Sequence, residues 1–352
     1  MNLAHVETIA KAVLYEGYLL YPYRPSAVKN QKRWNFGVVY PPAYAEPQSG
    51  PDACSMHTEC LLAGDPSAVL EVRVRFLHLQ NRSVVALVKP AGEGWNGLVP
   101  ERQAVERLKV GDRIYSSMQE AVECEIAVEP CRIDALAAQA MTTDFSFSGG
   151  DDFEWIRDEA GVTAAGIERR REPLRGTVDV AAEAVADGLF KISVHIVNRE
   201  PMDAVDPEQA LLRSFVSTHT ILGVEGGVFV SLLDPPEPLR ELAADCRNQG
   251  TWPVLAGEPG IRDTMLSSPI ILYDDPQIAP ESAGDLFDGT EIDEVLSLRI
   301  LTMTDAEKQE MRQSDERARR LLERTESLPP EHLMKLHGAV RGLRLAEEES
   351  KA

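Results

Sequence analysis

The stretch TVDVAAEAVADGLFKISVHIV, residues 177–197, decides the fold. Its apolar side chains occupy the even positions of both halves, 178–184 and 190–196. A period of two is typical of a half-buried strand, and two such halves in succession predict a β-hairpin. Because both apolar sets have even numbers and must lie on one face, the numbers of two facing residues must add up to an even number. Pairing 185 with 189 satisfies this and leaves residues 186–188 as the loop, with Gly188 where a positive φ is needed.

The same alternation continues outward along the chain. In LEVRVRFLHL, residues 70–79, the even positions are apolar up to Phe76, and the odd ones hold Glu71, Arg73 and Arg75. This pattern predicts a second half-buried strand. We also expect a hairpin in STHTILGVEGGVFVSLLD, turning at Gly226-Gly227, and a compact buried strand in SSPIILY, residues 267–273.

The C-terminal part has a different pattern. Thr290 with Asp293, and Thr304 with Glu307, resemble capping boxes, which mark helix starts. The sequence therefore predicts the α+β class: a mainly antiparallel β-sheet core with an irregular N-terminal arm and a helical C-terminal region. The expected divisions are an aromatic and basic arm over 1–50, a β-rich core over 51–288 with a possible sub-boundary near 145–161, and a helical region over 289–352.

Charge and composition limit the possible partners. The chain of 352 residues has 36 Lys plus Arg and 57 Asp plus Glu, a formal net charge of −21. Such a surface repels phosphate backbones, so we expect no nucleic acid partner. No apolar run approaches the ~20 residues that cross a bilayer, so we expect no membrane insertion. Five cysteines without a signal peptide favour reduced thiols and a cytoplasmic protein.

The acidic stretch 267–294 is the first candidate for chemistry. It contains eight carboxylates: Asp274, Asp275, Glu281, Asp285, Asp288, Glu291, Asp293 and Glu294. Asp275 precedes a proline, as in a turn, and the last three fall in a predicted first helical turn, where the helix dipole favours them. An EF-hand loop with Gly289 at its sixth position would need Glu at 295, where Val stands. These acids are therefore interpreted as serving local chain geometry.

CSMHTEC, residues 54–60, is the second candidate. Cys54, His57 and Cys60 are ligand types for zinc or nickel. On a strand, however, His57 would face away from both cysteines, and only a loop would bring the three together. His195 and His219 fall on strand positions that we expect to face solvent.

Other segments suit docking to a protein. The arm interleaves Tyr21, Tyr23 and Trp34 with basic residues such as Arg24, and Trp252 stands in a Pro/Gly-rich loop. Aromatic rings and cations can stack and bind anions, although an extended arm pinned by its aromatics explains the same pattern. No H-E-x-x-H, G-x-S-x-G or P-loop motif is present.

Several long strings carry a resemblance: GTWPVLAG (250–257), SSPIILYDDPQIAPESAGDLFDGTEIDEVLSLRILTMTDAEKQEMR (267–312) and DERARRLLERT (315–325). They resemble uncharacterised proteins associated with actinobacterial-type, high-affinity uptake [NiFe]-hydrogenase gene clusters. The match is strongest over 217–326, and LYEGYLLYPYRPSAVKNQKRWNFG and HTECLL are also similar. The resemblance implies hydrogenase assembly or support. It carries over no catalytic residue.

The favoured interpretation is a non-enzymatic accessory or maturation protein that docks to a hydrogenase subunit or maturation factor and needs no cofactor. Its docking residues would be Tyr21, Tyr23, Arg24, Trp34, Trp252, Asp274, Asp275, Asp285 and Asp288. The alternative is a metal-dependent enzyme or nickel/iron carrier that uses Cys54, His57 and Cys60, or Asp274, Asp275 and Glu281. A small-molecule-binding domain also stays open, since β-rich folds often carry pockets.

Overall fold

A computed structural model describes residues 3–14, 35–47, 52–87, 101–111, 113–203, 206–258, 260–276 and 303–312, together with 319, 322, 323, 326 and 327. The strands are β1 (Ser55–Leu87), β2 (Arg102–Val105), β3 (Arg107–Val110), β4 (Arg113–Ser116), β5 (Met118–Arg132), β6 (Met141–Phe147), β7 (Gly150–Arg157), β8 (Thr163–Arg171), β9 (Leu174–Ala186), β10 (Leu189–Asn198), β11 (Val216–Phe229), β12 (Trp252–Leu255) and β13 (Thr264–Ser268). The helices are α1 (Leu3–Leu14), α2 (Pro42–Ala45), α3 (Ile133–Ala138), α4 (Pro207–Leu212), α5 (Arg240–Ala244) and α6 (Asp305–Arg312).

The α+β class expected from the sequence is wrong. The described residues are mostly antiparallel strands, and their helices are short, the longest being the 12-residue α1. No helical C-terminal region is seen in the described part of 289–352, where the helix with defined bounds is α6. Capping boxes are local signals. They do not supply the apolar burial that stabilises most helices in proteins, whereas alternating strands bury one face each.

The 33-residue strand β1 organises the sheet. Along one edge it pairs in turn with β10, β5 and β2, and along the other with β11 and β8. All of these pairings are antiparallel. From β11 the sheet continues to β13 and β12, and from β10 to β9 and β6. Residues from both halves of β1, such as Leu62 and Val72, therefore belong to one core.

The turn expected at Gly226-Gly227 is wrong, because the chain does not reverse there. β11 runs through both glycines as one strand, and the register with β1 shifts between Gly64 and Val69. A Cβ added to Gly64 would lie 2.8 Å from the Gly227 Cα, so the two backbones approach too closely for any side chain. The glycine pair serves this close approach and not a reversal of the chain.

The expected register of the 177–197 hairpin is confirmed. Ile196 faces Val178 and Phe190 faces Ala184, so the numbers of facing residues sum to an even number. The even positions 178–182 and 190–196 are buried, and Ala184 next to the tip is exposed. Only the tip differs from expectation. Leu189 pairs with Ala186, and a bulge before Phe190 restores the register.

A second correction concerns SSPIILY. The buried strand is β13, which ends at Ser268. The side chains of Ile271 and Tyr273 are 73% and 85% exposed, so the apolar run after Pro269 is not a buried strand. Ile270 and Leu272 pack partly against the cluster that includes α1, so the segment is a connection that buries only alternate side chains. Apolar composition alone does not distinguish such a connection from a strand, because burial is decided by the neighbouring elements.

Candidate functional site

β12 and the segment after β13 form one corner of the sheet. β12 is the last strand of the sheet path, after β13. Asp274 ties the corner together: the Leu255 backbone N–H donates to its Oδ1 at 2.8 Å, and the Ser231 hydroxyl donates to its Oδ2 at 2.5 Å. The Asp275 N–H donates to the Leu255 carbonyl at 2.8 Å. The Asp274 carboxylate thus joins three separate segments.

Asp275 has a backbone role of its own. Its φ is +54°, in the left-handed region, which Asp and Asn tolerate better than most residues. Burial, and then the neighbouring charge of Asp274, raise the pKa of the Asp275 carboxyl against the opposing charge of Arg262. Asp274 through its carboxylate and Asp275 through its backbone therefore fix the path of the chain at this point.

The same corner exposes large apolar side chains. Trp252, at the start of β12, is 47% exposed, and Ile271 and Tyr273 are 73% and 85% exposed. Trp252 pairs with Ser268 in the ladder, so the segment 271–273 begins three residues beyond its partner. We name Trp252, Ile271, Tyr273, Asp274 and Asp275 the β12 corner. An exposed apolar patch can serve as a contact surface for another molecule.

The proposed docking residues are thus placed only in part. Trp252 begins β12, and Asp274 and Asp275 bond to Leu255 at the other end of the same strand. The remainder lie outside the described residues: Tyr21, Tyr23, Arg24, Trp34, Asp285 and Asp288. Glu281, the third acid of the alternative metal cluster, also lies outside them.

The candidate metal residues near the start of β1 lie on opposite faces. Cys60 is fully buried in the core, whereas the half-buried His57 lies on the outer face. Burial raises the pKa of the Cys60 thiol far above its usual range, with smaller contributions from Cys246 and Glu59, so this thiol stays protonated and unreactive. In the part of the chain that the structure describes, no group of three or more His, Cys, Asp and Glu is arranged to hold a metal ion.

His57 belongs instead to a polar row across four strands. It faces His195 on β10, His195 faces Asp179 on β9, and Asp179 faces Thr142 on β6. The rings of His57 and His195 are edge to face, with centroids 5.6 Å apart. The Thr142 hydroxyl donates to Asp179 Oδ1 at 2.6 Å. Cross-strand neighbours are far apart in sequence, so analysis of the sequence missed this row.

Glu59 extends the polar surface along β1. Its Oε1 lies 3.3 Å from His57 Nε2, and its Oε2 accepts a hydrogen bond from the Arg247 N–H at 2.7 Å. Its backbone N–H donates to Asn248 Oδ1 at 2.8 Å. The carboxylate is therefore held between the histidine and the chain after α5, with little freedom to rotate.

Two histidines lie in the interior. His219, expected to face solvent, is fully buried, so that expectation is wrong. Its Nδ1 bonds the Ser217 carbonyl at 2.7 Å, and burial lowers its pKa to about 4. His78 is also fully buried, and burial followed by the charge of Arg171 lowers its pKa to about 4. Both are neutral at pH 7. The expectation for His219 failed because the outer face of β11 is covered: Ile221, two residues further along β11, packs against α1.

No family model matches the chain, and no curated protein matches it. Within the described ranges, no helix has the length and apolar character needed to cross a membrane.

Proposed function

We propose that the chain is a non-enzymatic accessory or assembly protein of a [NiFe] hydrogenase, and that it acts by docking a protein partner at the β12 corner. The observation that supports docking is the exposure of Trp252, Ile271 and Tyr273 at one edge of the sheet. The hydrogenase context rests on the resemblance over residues 217–326.

The corner has the properties of a binding hot spot. Large aromatic side chains contribute most of the binding free energy in typical protein interfaces, and binding is stronger when they are held in place beforehand. Asp274 supplies that order, because it fixes Leu255 of β12 and the segment that carries Tyr273.

Charge defines the expected partner. With a net charge of −21, the chain would be attracted to a partner with a basic rim around an apolar centre. A subunit awaiting assembly exposes apolar surface that its final complex covers, and such a surface fits this description. We place the docking in the cytoplasm, where the five free cysteines would remain reduced.

Affinity capture from the native host tests the proposal. The tagged full chain is expected to retain a hydrogenase subunit or maturation factor, and the double variant W252A/Y273A should lose it. Losing a hot spot costs at least about 2 kcal/mol, or roughly 30-fold in affinity. Trp155 on β7, which is 37% exposed, provides the matched control W155A, which should capture normally.

Deletion of the gene provides the functional assay. Hydrogen uptake and the amount of mature hydrogenase should fall, and the wild-type chain should restore them while W252A/Y273A should not. Capture of no hydrogenase protein by the wild-type chain, together with normal hydrogen uptake in the deletion strain, would disprove the proposal.

A further inference from the structure

His57 and His195, a pair of histidines on the outer face of the sheet, have no part in docking at the β12 corner. His57 and His195 are directly opposed on neighbouring antiparallel strands, with ring centroids 5.6 Å apart and an interplanar angle of 72°. Their side chains are 29% and 42% exposed, so solutes reach both rings. Burial, and then the proximity of His57, lower the pKa of His195 against the opposing charge of Asp179.

Each ring has a carboxylate next to one of its nitrogens. Glu59 Oε1 is 3.3 Å from His57 Nε2, and Asp179 Oδ2 is 4.0 Å from His195 Nδ1. A metal-binding histidine commonly donates its second N–H to a carboxylate, which fixes the tautomer and directs the other nitrogen to the metal. Here that arrangement would leave His57 Nδ1 and His195 Nε2 as free ligands.

The carboxylates are themselves held in place. The Thr142 hydroxyl donates to Asp179 Oδ1, and the Arg247 N–H donates to Glu59 Oε2, so each acid keeps its second oxygen for a histidine. Both edges of the backbone at His57 are also fixed, by β10 on one side and by reciprocal hydrogen bonds with Gln249 on the other. Such support is what a preorganised site requires.

We propose that His57 and His195 bind one divalent transition-metal ion between β1 and β10, with Glu59 and Asp179 orienting the rings and water completing the coordination. This site is separate from the β12 corner, and it needs no partner. It also differs from the Cys54, His57 and Cys60 set, whose cysteines take no part.

The spacing agrees with this assignment. Metal–nitrogen bonds of 2.0–2.1 Å place two imidazole centroids on a tetrahedral ion about 5 Å apart. The observed 5.6 Å is close to that distance, and the edge-to-face rings would turn about their side-chain torsions to point both free nitrogens at one ion. Two imidazoles with water suit Cu²⁺, Ni²⁺ and Zn²⁺, and Cu²⁺ binds most tightly to a given set of nitrogen ligands.

Titration of the tag-free full chain with each metal salt alone tests the site. Calorimetry should show one equivalent of Cu²⁺ bound, with weaker Ni²⁺ and Zn²⁺ binding. H57Q and H195Q should each weaken binding at least tenfold. D179N, a positioning change, should weaken it about tenfold while the copper ligands stay the same. E183Q on β9, where the Glu183 side chain is 68% exposed, and H337Q, which removes a histidine elsewhere in the sequence, are the controls and should bind normally.

A spectroscopic measurement makes the result independent of how well the variants fold. Electron paramagnetic resonance of the Cu²⁺-loaded wild-type chain should show two imidazole nitrogen ligands, and H195Q should show fewer. Absence of Cu²⁺ binding to the wild-type chain would overturn the proposal, as would equal loss of binding in H337Q and H195Q or a copper spectrum with sulfur ligands. Because no partner is involved, a negative result here leaves the docking proposal standing.

Discussion

Replacement of Asp274 by asparagine tests whether this acid has a structural role. The Ser231 hydroxyl accepts hydrogen bonds from the N–H groups of Leu233 and Asp234, so its own proton is directed to the Asp274 Oδ2. In D274N the amide oxygen can still accept from the Leu255 N–H, but the amide NH₂ then faces a hydroxyl that has only a donor to offer. In the variant, the amide NH₂ at position 274 and the Ser231 hydroxyl would therefore face each other as two donors at a contact of 2.5 Å.

The loss of unfolding free energy in each variant follows from the hydrogen bonds that it removes. A hydrogen bond to a charged group contributes about 1.5–3 kcal/mol, so D274N should lower the free energy of unfolding by about 2 kcal/mol. D274A, which leaves both Ser231 and Leu255 without this acceptor, should cost about 3–4 kcal/mol. Urea unfolding measures both, and the midpoint should fall while the m-value is unchanged.

The adjacent acid is the matched control. D275N keeps a residue type that tolerates the φ of +54°, and it removes a carboxyl whose ionised form burial disfavours. It should stay within about 0.5 kcal/mol of the wild type. A D274N chain as stable as the wild type, or a D275N chain that loses as much stability as D274N, would refute the structural assignment.

Three further changes probe the sheet and its edge. G64A should lower the free energy of unfolding by about 3 kcal/mol or more in urea, since its Cβ would lie 2.8 Å from the Gly227 Cα; a neutral effect would contradict the close approach. G188A should cost about 1–2 kcal/mol, because Gly188 has a φ of +63°, and a larger stability for the variant would contradict that geometry. Burial raises the pKa of Glu200 against the opposing charges of Arg175 and Arg213. The stability linked to its protonated form is complete below the ordinary pKa of 4.5 and is lost as pH rises through the folded value. E200Q should therefore gain stability over the wild type at pH 7 and lose that advantage near pH 4 in paired urea curves, and the opposite trend would contradict the assignment.

Local periodicity predicted the parts of the fold that depend on one strand and its turn. The even positions of 178–182, 190–196 and 70–76 are buried as expected. In both cases the alternation, and in the hairpin the parity of the register, follow from the pleat of a single strand or two adjacent ones. These signals are complete within about 20 residues, so the sequence contains all that is needed to read them.

The errors share a different cause. Gly226-Gly227 is compatible with a turn and also with a close approach of two strands, and only the position of Gly64 distinguishes them. The face of His219 depends on what α1 covers. The row from His57 to Asp179 joins residues from three strands, so no local pattern could reveal it. The class assignment was wrong because it extended two local helix-start signals to a whole helical C-terminal region, whereas the helix with defined bounds in the described part of that region is the eight-residue α6.

The length of β1 also has a consequence during synthesis. The strand is complete at Leu87, yet β11, which pairs with it from Leu62 to Leu77, ends only at Phe229. During translation, one edge of β1 therefore stays unpaired until most of the sheet has been synthesised. In that period an unpaired strand can pair with another nascent chain. Arg73 and Arg75 on its outer face place charge where such contacts would begin. A slow, late-closing sheet of this kind is expected to depend on chaperones more than its finished stability would suggest.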